Sequence, residues 1–247
     1  MKSSLLITGG LGYVGSFTAK NYLEKTKRKS IVIDNLSRGN NFAKKYSKSK
    51  IIDISNRNIK KKIDKEKIDI ILHLASLTCV RESITNRKRY FTNYKSQIQF
   101  IKNIKKTGVK YFIFSSSLSV FEKNKFKKNL SPYSMYKLKI EKYLKRISSP
   151  NFKVIILRYP NIIGSSPSGK LGEKNNFISR IVPIFYKNII NKKQNILYYD
   201  HKKKVYPYRN YMHVEDIAKI NFKIIKDINK FKNKFYVFNI MNKKEYT

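Results

Sequence analysis

The chain has 247 residues, and its 55 Lys and Arg residues against 15 Asp and Glu residues give it a formal net charge of +40. No apolar run approaches the roughly 18 residues of a membrane span, and the apolar segment after Met1 is too short for a secretory signal peptide. The single cysteine, Cys79, excludes an internal disulfide and fits a reducing compartment, so we expect a cytoplasmic protein.

The positive charge raises the question of a nucleic-acid partner. The lysines are spread along the whole chain instead of forming one arm. Lys, Ile, Asn, Tyr and Phe are abundant while Gly and Pro are scarce, as A/T-rich codons encode, so genome composition accounts for much of the excess. We therefore expect only non-specific attraction to nucleic acids and other polyanions, with a basic RNA-associated protein as an open alternative.

Short apolar runs alternate with longer amphipathic stretches in the first half of the chain. The runs are apolar on both faces, as are strands of a parallel sheet that is covered on two sides. This alternation predicts an α/β fold with a doubly wound, Rossmann-type parallel sheet. Strands are predicted at 5–8, 30–34, 50–54, 68–73 and 110–115, and helices at 12–25, 56–67 and 86–107.

In the second half of the chain, Ser131 and Pro132 form an N-cap and a first-turn proline that predict a helix through about residue 146. Residues 161–176 hold a proline and three of the nine glycines, so we interpret them as a loop. The other predicted elements are a strand at 153–158, helices at 178–185 and 215–228, and a strand at 236–240.

A glycine cluster follows the first predicted strand and opens the first predicted helix. Four of the nine glycines lie in Thr-Gly-Gly-Leu-Gly-Tyr-Val-Gly at 8–15. Gly9 would permit the tight turn, Gly12 the close approach of backbone to a pyrophosphate, and Gly15 the packing of helix on strand. The N–H groups at the helix N-terminus attract the anion. The pattern therefore predicts a dinucleotide-binding turn.

A carboxylate at the end of the second predicted strand indicates which dinucleotide binds. Asp34 lies 19 residues after Gly15, near the spacing expected for a carboxylate that binds the ribose hydroxyls of adenosine. A carboxylate there would repel the 2′-phosphate of NADP, so NAD is favoured. Arg38 lies close by in the sequence and keeps NADP open as an alternative.

A serine-rich strand end and a Tyr-x-x-x-Lys pair supply candidate catalytic residues. This spacing occurs four times in a chain rich in both residues, so the spacing alone carries little information. Tyr133 and Lys137 are the pair that follows a serine-rich strand end, and they lie one turn apart on one helix face. A neighbouring ammonium lowers the pKa of a phenol. Tyr133 would exchange a proton with a sugar hydroxyl, Ser117 would bind the same oxygen, and Lys137 would also hold the nicotinamide ribose.

These motifs carry a family resemblance. Thr-Gly-Gly-Leu-Gly-Tyr-Val-Gly-Ser at 8–16, Phe-Ile-Phe-Ser-Ser-Ser at 112–117, Leu-Arg-Tyr-Pro-Asn at 157–161 and Tyr-Arg-Asn-Tyr-Met-His-Val-Glu-Asp at 208–216 are similar to the UDP-glucose 4-epimerases of the extended short-chain dehydrogenase/reductase group. The likeness keeps the family's order over nearly the whole chain, which is C-terminally short beside that family. It implies an NAD-dependent enzyme that epimerises a nucleotide sugar at C4 through a 4-keto intermediate.

The resemblance also implies roles for individual residues. Ser117, Tyr133 and Lys137 would be catalytic. Asn161, Asn176 and Arg209 would bind the UDP-sugar. Those implied to line the NAD site are Gly9, Gly12, Tyr13, Val14, Gly15, Asp34, Asn35, Asp53, Ile54, Leu74, Ala75 and Asn93. No cluster of His, Cys, Asp or Glu has the spacing of metal ligands, so no metal is expected.

Two domains are expected. Residues 1–160 would form an NAD-binding Rossmann domain with the catalytic residues, and 161–247 a small, truncated C-terminal substrate-binding lobe interleaved with the last Rossmann elements. A UDP-sugar is the expected partner, and a homodimer is left open. The alternatives are another nucleotide-sugar epimerase or reductase of the same family and, from another class, a catalytically inactive NAD-binding remnant. We interpret His73 and Cys79 as packing residues.

Overall fold

Strands and helices alternate through residues 4–121, 130–173, 180–195 and 209–242, which are the parts of the chain that the computed structural model describes. The strands are β1 (Leu5–Thr8), β2 (Ser30–Asp34), β3 (Ser47–Ile51), β4 (Ile70–His73), β5 (Tyr111–Ser117), β6 (Lys153–Tyr159), β7 (Asn161–Ile163), β8 (Tyr211–His213) and β9 (Phe235–Asn239). The helices are α1 (Tyr13–Thr26), α2 (Ile59–Asp64), α3 (Val80–Thr85), α4 (Arg87–Lys105), α5 (Pro132–Ile147), α6 (Ile181–Ile190) and α7 (Val214–Lys226).

The main sheet holds seven parallel strands in the order β3-β2-β1-β4-β5-β6-β9. The chain begins in the middle of the sheet at β1, builds outward to β3, and then returns to build β4 onward on the other side. Ligands of such sheets bind outside the carboxyl ends of the strands, where the strand order reverses. The predicted doubly wound, Rossmann-type sheet is confirmed, and it places the candidate site at the ends of β1 and β4.

Apolar side chains cover both faces of the sheet. Neighbouring residues of β1 point into separate cores, with Ile7 in the layer beneath α1 and α7 and Leu6 in the layer beneath α4 and α5. On the first face, Tyr22 of α1 meets Phe222 of α7 edge to face, with ring centroids 6.4 Å apart. Burial on two sides explains why the central strands begin with runs of consecutive apolar residues.

The third strand differs from the prediction. It occupies Ser47–Ile51, whereas the apolar residues of the sequence predict 50–54. β3 lies at the edge of the sheet and pairs with β2. A strand at an edge is partly exposed, so it accepts Lys48 and Lys50 and does not require the apolar pattern of a central strand.

The second helix is shorter than the predicted 56–67. The side-chain oxygen of Asn56 accepts a hydrogen bond from the N–H of Asn58 at 2.9 Å, and this turn delays the start of α2 to Ile59. Beyond its end, Lys67 takes a left-handed φ of +48°. Both ends are therefore set by local turns that interrupt the helical spacing.

Three short elements escaped prediction. α3 follows β4, and its N-cap Cys79 accepts a hydrogen bond at Sγ from the N–H of Glu82. β7 lies inside the predicted loop 161–176 and pairs in parallel with β8, with Asn161 opposite Tyr211. β7 and β8 form a two-stranded ladder of three residue pairs outside the main sheet, so their existence depends on a pairing between distant parts of the chain.

The elements beyond residue 160 belong partly to the main sheet. β9 pairs with β6, and α7 packs on α1 through a hydrogen bond from Asn221 Nδ2 to Thr18 Oγ1 at 3.0 Å. The helix predicted at 178–185 begins, within the described residues, at Ile181. The division into domains at 1–160 and 161–247 stays a prediction. Across the described parts of the chain, no helix combines the length and apolarity that a membrane crossing requires.

Candidate active site

The glycine-rich turn joins β1 to α1. Gly9 has a φ of +67°, and a Cβ there would lie 2.7 Å from the backbone N of Ala75, so a side chain would collide with the segment that follows β4. Gly12 is the N-cap of α1, and the only atom near a Cβ built on it is Gly9 O, at 3.2 Å. Tyr13 and Val14 form the first turn of α1. A phosphate can therefore approach the backbone at Gly12 and the free N–H groups behind it.

Replacing Gly15 with alanine is expected to destabilise the protein, because the new Cβ would lie 2.3 Å from Gly9 O and 2.6 Å from Gly10 Cα. Both are backbone atoms, which cannot move without shifting the neighbouring chain. We therefore expect a loss of about 2 kcal/mol in the free energy of unfolding, measured by urea denaturation. Gly108→Ala is the matched control, since nothing lies within 4 Å of its Cβ position. Equal stability of the two variants would contradict this close packing.

Asp34 ends β2 directly beneath the glycine-rich turn. Its carboxylate accepts a hydrogen bond from the N–H of Leu11 at 3.0 Å and another from the N–H of Leu36 at 2.8 Å. Burial raises the pKa of Asp34, while these backbone hydrogen bonds act in the opposite direction. The residue therefore holds the turn in place and presents a carboxylate at the carboxyl edge of the sheet.

Three further residues expected at the NAD site lie beside Asp34. Asn35 Nδ2 donates to Asp53 Oδ2 at 2.6 Å, and the N–H of Ser55 donates to Asp53 Oδ1 at 2.8 Å. Burial raises the pKa of Asp53, but the hydrogen bonds from Ser55 and Asn35 outweigh it and hold the pKa below its ordinary value. Ile54 is buried next to this pair. These side chains gather at the ends of β2 and β3.

The segment after β4 closes over β1. The N–H of Leu74 donates to Thr8 O at 3.0 Å, and the N–H of Ala75 donates to Thr8 Oγ1 at 3.3 Å. Thr8 Oγ1 also hydrogen-bonds His73 Nδ1 at 2.8 Å. His73 is fully buried and stacks on Phe100 with ring centroids 5.1 Å apart, and burial lowers the pKa of His73 to about 3. The interpretation of His73 as a packing residue is confirmed.

Asn93 links the expected NAD site with the expected catalytic residues. Its Oδ1 accepts hydrogen bonds from the N–H of Leu77 at 3.3 Å and from Gln97 Nε2 at 2.8 Å. Asn93 lines a small open recess between α4 and α5. The side chains that share this recess include Tyr90, Tyr94, Gln97, Tyr133, Tyr136 and Lys137.

Serine hydroxyls join the end of β5 to the start of α5. The Oγ of Ser131, the N-cap of α5, accepts from the N–H of Ser134 at 3.2 Å. Ser134 Oγ donates to Ser119 Oγ at 2.8 Å, and the N–H of Ser119 donates to Ser117 Oγ at 3.2 Å. Ser117 is thereby held at the carboxyl edge of the sheet through Ser119, which itself contacts the first turn of α5.

Tyr133 and Lys137 occupy one face of α5, one turn apart and buried. Lys137 Nζ donates to Ser115 O at 2.8 Å and lies 5.9 Å from the centre of the Tyr133 ring. Burial lowers the pKa of Lys137 to about 7, and the carboxylate of Glu141 acts in the opposite direction. An ammonium at this point is poorly solvated, so its charge is screened less by water than that of a surface lysine.

A buried ion pair behind Lys137 was not predicted from the sequence. Arg158 Nη2 lies 2.6 Å from Glu141 Oε2, and the Ser116 hydroxyl also hydrogen-bonds Glu141. Glu141 follows Lys137 by one helical turn and shares the buried face of α5 with Ile140. A carboxylate between Ile140 and Leu144 on the inward face of the helix was the signal that could have revealed it, because a buried carboxylate requires a partner.

Two of the three residues expected to bind the UDP-sugar, Asn161 and Arg209, lie at the small ladder formed by β7 and β8. Asn161 N–H donates to Asn210 O at 2.9 Å, so Asn161 and the adjacent Arg209 are brought together from distant parts of the chain. Asn161 is exposed, as a residue that meets a soluble substrate must be before binding. Asn176 lies outside the described residues.

Cys79 is a buried free thiol that caps α3, which agrees with its interpretation as a packing residue. Within 4–121, 130–173, 180–195 and 209–242, no group of three or more His, Cys, Asp and Glu side chains is placed to hold a metal ion.

Comparison with known proteins identifies the family. The model of the "NAD dependent epimerase/dehydratase family" matches residues 5–240. This chain belongs to that family. Among the relatives, the UDP-glucose 4-epimerase of Yersinia enterocolitica is 33% identical over 242 residues, which cover 87% of this chain and 71% of the relative. The UDP-glucose 4-epimerase of Pasteurella multocida is 29% identical over 244 residues, with the same two coverages.

Solved structures of the family share the architecture. The UDP-glucose 4-epimerase from Bifidobacterium longum in complex with NAD⁺ and UDP superposes with a TM-score of 0.86 at 26% identity, covering 99% of this chain and 80% of that chain. The UDP-glucose-4-epimerase from Stenotrophomonas maltophila superposes with a TM-score of 0.88 at 21% identity, covering 99% and 80%, and this second likeness speaks to the fold alone. The family resemblance, the Rossmann-type fold and the dependence on NAD that the sequence predicts are confirmed.

Proposed function

We propose that this protein is an NAD-dependent epimerase that inverts C4 of a UDP-sugar and interconverts UDP-glucose and UDP-galactose. The observation that carries the proposal is the placement of Tyr133 and Lys137, both buried on one face of α5, against the end of β5, where Lys137 Nζ donates to Ser115 O at 2.8 Å. The relatives named above act on UDP-glucose or bind UDP, which supports the choice of substrate class.

The three residues have distinct roles in this proposal. Tyr133 takes the proton from the C4 hydroxyl of the sugar and later returns a proton to the same oxygen. Ser117 hydrogen-bonds that oxygen, and its own position is held by Ser119. The ammonium of Lys137 favours the charged form of the phenol and holds the nicotinamide ribose. NAD, when bound, accepts the hydride from C4 and returns it to the opposite face of the ring.

The NAD site has a built cradle. The backbone at Gly9 and Gly15 leaves no room for side chains, whereas the backbone at Gly12 is open to approach, which fits a pyrophosphate. Asp34 would bind the adenosine ribose, and Asn93 would lie near the nicotinamide end. The same assignment to the NAD site extends to Tyr13, Val14, Asn35, Asp53, Ile54, Leu74 and Ala75.

The UDP-sugar would be held by Asn161, Arg209 and Asn176. An arginine suits a diphosphate because its guanidinium donates two parallel hydrogen bonds to phosphate oxygens. The Tyr13 hydroxyl donates to Gly164 O at 2.5 Å, so the loop after β7 touches the NAD-binding turn. The two binding regions are therefore adjacent, as hydride transfer between their ligands requires.

A direct assay tests the proposal. The purified protein is incubated with UDP-galactose and NAD⁺, and the appearance of UDP-glucose is followed by anion-exchange chromatography. We expect conversion to an equilibrium mixture from either direction. Bound NAD without any conversion of UDP-galactose, UDP-glucose or their N-acetylated counterparts would contradict the proposal and favour an inactive NAD-binding protein.

The proposal includes the cellular setting and assembly of the enzyme. A cytoplasmic location is supported by Cys79, which remains a free buried thiol. A homodimer is supported by an aromatic cluster on adjoining α4 and α5, in which Tyr94 stacks on Tyr136 at 4.9 Å and Phe91 is 42% exposed. Exposed aromatic clusters of this kind mark surfaces that associate with other proteins.

A further inference from the structure

An arginine lies close to the carboxylate proposed to bind the adenosine ribose. A Cβ built on Gly39 would lie 3.1 Å from Asp34 Oδ1, so the loop after β2 folds back against that carboxylate. Arg38 is the preceding residue, and its Cα is about 3.8 Å from that of Gly39. The guanidinium of Arg38 can therefore reach the surroundings of the ribose by rotation of its own side chain.

The Arg38 guanidinium is bound by the carboxylate of Glu82 in α3. Arg38 Nη2 lies 2.6 Å from Glu82 Oε2, with the two side chains 28% and 13% exposed. The Tyr90 hydroxyl lies 3.1 Å from the same carboxylate oxygen, and the guanidinium of Arg89 pairs with the other oxygen. Arg38 and Arg89 thus donate to opposite oxygens of Glu82, which fixes this carboxylate as a partner for Arg38.

We propose that Glu82 determines cofactor specificity by holding Arg38 away from the adenosine 2′ position. A 2′-phosphate needs a free guanidinium, since an arginine next to the ribose is the usual means of accommodating NADP. In this chain the guanidinium is neutralised by Glu82, and the Asp34 carboxylate repels the phosphate. Glu82 and Asp34 therefore both disfavour the binding of NADP. Replacing Glu82 alone would free the Arg38 guanidinium.

Isothermal titration with NAD⁺ and with NADP⁺ tests the proposal without any sugar turnover. The expected result for Glu82→Gln is a gain of about tenfold or more in NADP⁺ affinity relative to NAD⁺, the worth of one hydrogen bond to a charged group. Adding Arg38→Gln to that variant is expected to cancel the gain. Glu66→Gln is the matched control, because it also removes one carboxylate but the lost partner is Lys50.

Two results would overturn the proposal. The first is an unchanged ratio of NAD⁺ to NADP⁺ affinity in Glu82→Gln, or a gain that survives Arg38→Gln or appears equally in Glu66→Gln. The second is a loss of NADP⁺ affinity relative to NAD⁺ in the single variant Arg38→Gln. That loss would show that Arg38 already contacts the ribose while Glu82 is intact. The inference rests on NAD binding at the glycine-rich turn, whereas loss of epimerase activity alone leaves it standing.

Discussion

Tyr133→Phe is expected to lower the turnover number for UDP-galactose by at least 10²-fold and to leave NAD⁺ affinity within about threefold of the wild type. The change removes one oxygen from a ring that is otherwise packed in place, with an exposed fraction of 9%. In the proposed mechanism that oxygen carries the proton of the C4 hydroxyl, and no described group at the same point replaces it. Steady-state kinetics and a parallel NAD⁺ titration measure the two quantities.

Tyr136→Phe provides the matched control for that experiment. Tyr136 lies three residues further along α5, lines the same recess, and stacks on Tyr94. Its loss of one oxygen should leave the turnover number close to that of the wild type. If Tyr133→Phe and Tyr136→Phe retain similar activity, Tyr133 is not the acid–base group, and the proposed mechanism is wrong.

The parts of the fold that the sequence predicts well are those with local causes. β1, the glycine-rich turn and α1 follow from an apolar run, four clustered glycines and helical spacing that lie within 30 residues of one another. α5 follows from an N-cap at Ser131 and a proline in its first turn, and the structure begins the helix at Pro132. Each signal arises from backbone interactions among a few neighbouring residues. It can therefore be recognised in the sequence without knowledge of the tertiary structure.

The parts that escaped prediction depend on partners distant in the sequence. β3 tolerates Lys48 and Lys50 because it lies at the edge of the sheet, a position that its own residues do not reveal. The ladder of β7 and β8 pairs Asn161 with Tyr211, 50 residues away, within three-residue strands that carry no pattern of their own. Short strands gain their stability from the pairing, so sequence periodicity cannot find them.

The same reasoning applies to the site. The glycines, Asp34, Ser117, Tyr133 and Lys137 could be named because motif and element coincide. The ion pairs of Glu141 with Arg158 and of Glu82 with Arg38 could not, since their members are 17 and 44 residues apart. Such pairs hold side chains in and around the site in place. Only the three-dimensional arrangement shows which carboxylate pairs with which cation.

The burial of Lys137 has a thermodynamic consequence that follows from its pKa. The folded protein holds that pKa at about 7, whereas the ordinary value of a lysine is 10.5. Between these values the unfolded chain binds a proton that the folded protein does not, so this group makes the folded state more stable as pH rises from 7 towards 10.5. Below pH 7 the ammonium is present in both states, and the full cost of burying it weakens the fold.

Lys137→Met removes the charge, so the difference in stability between the variant and the wild type should depend on pH. We expect the advantage of the variant in free energy of unfolding, measured without NAD, to shrink by about 2 kcal/mol between pH 7 and pH 9, since one pKa unit is worth about 1.4 kcal/mol. Lys142→Met, at an exposed lysine of the same helix, should show no such trend. A pH-independent difference for Lys137→Met would contradict the costly burial of this ammonium. With the trend observed and turnover lost in the same variant, the lysine would be retained for catalysis at the expense of stability, as residues of active sites often are.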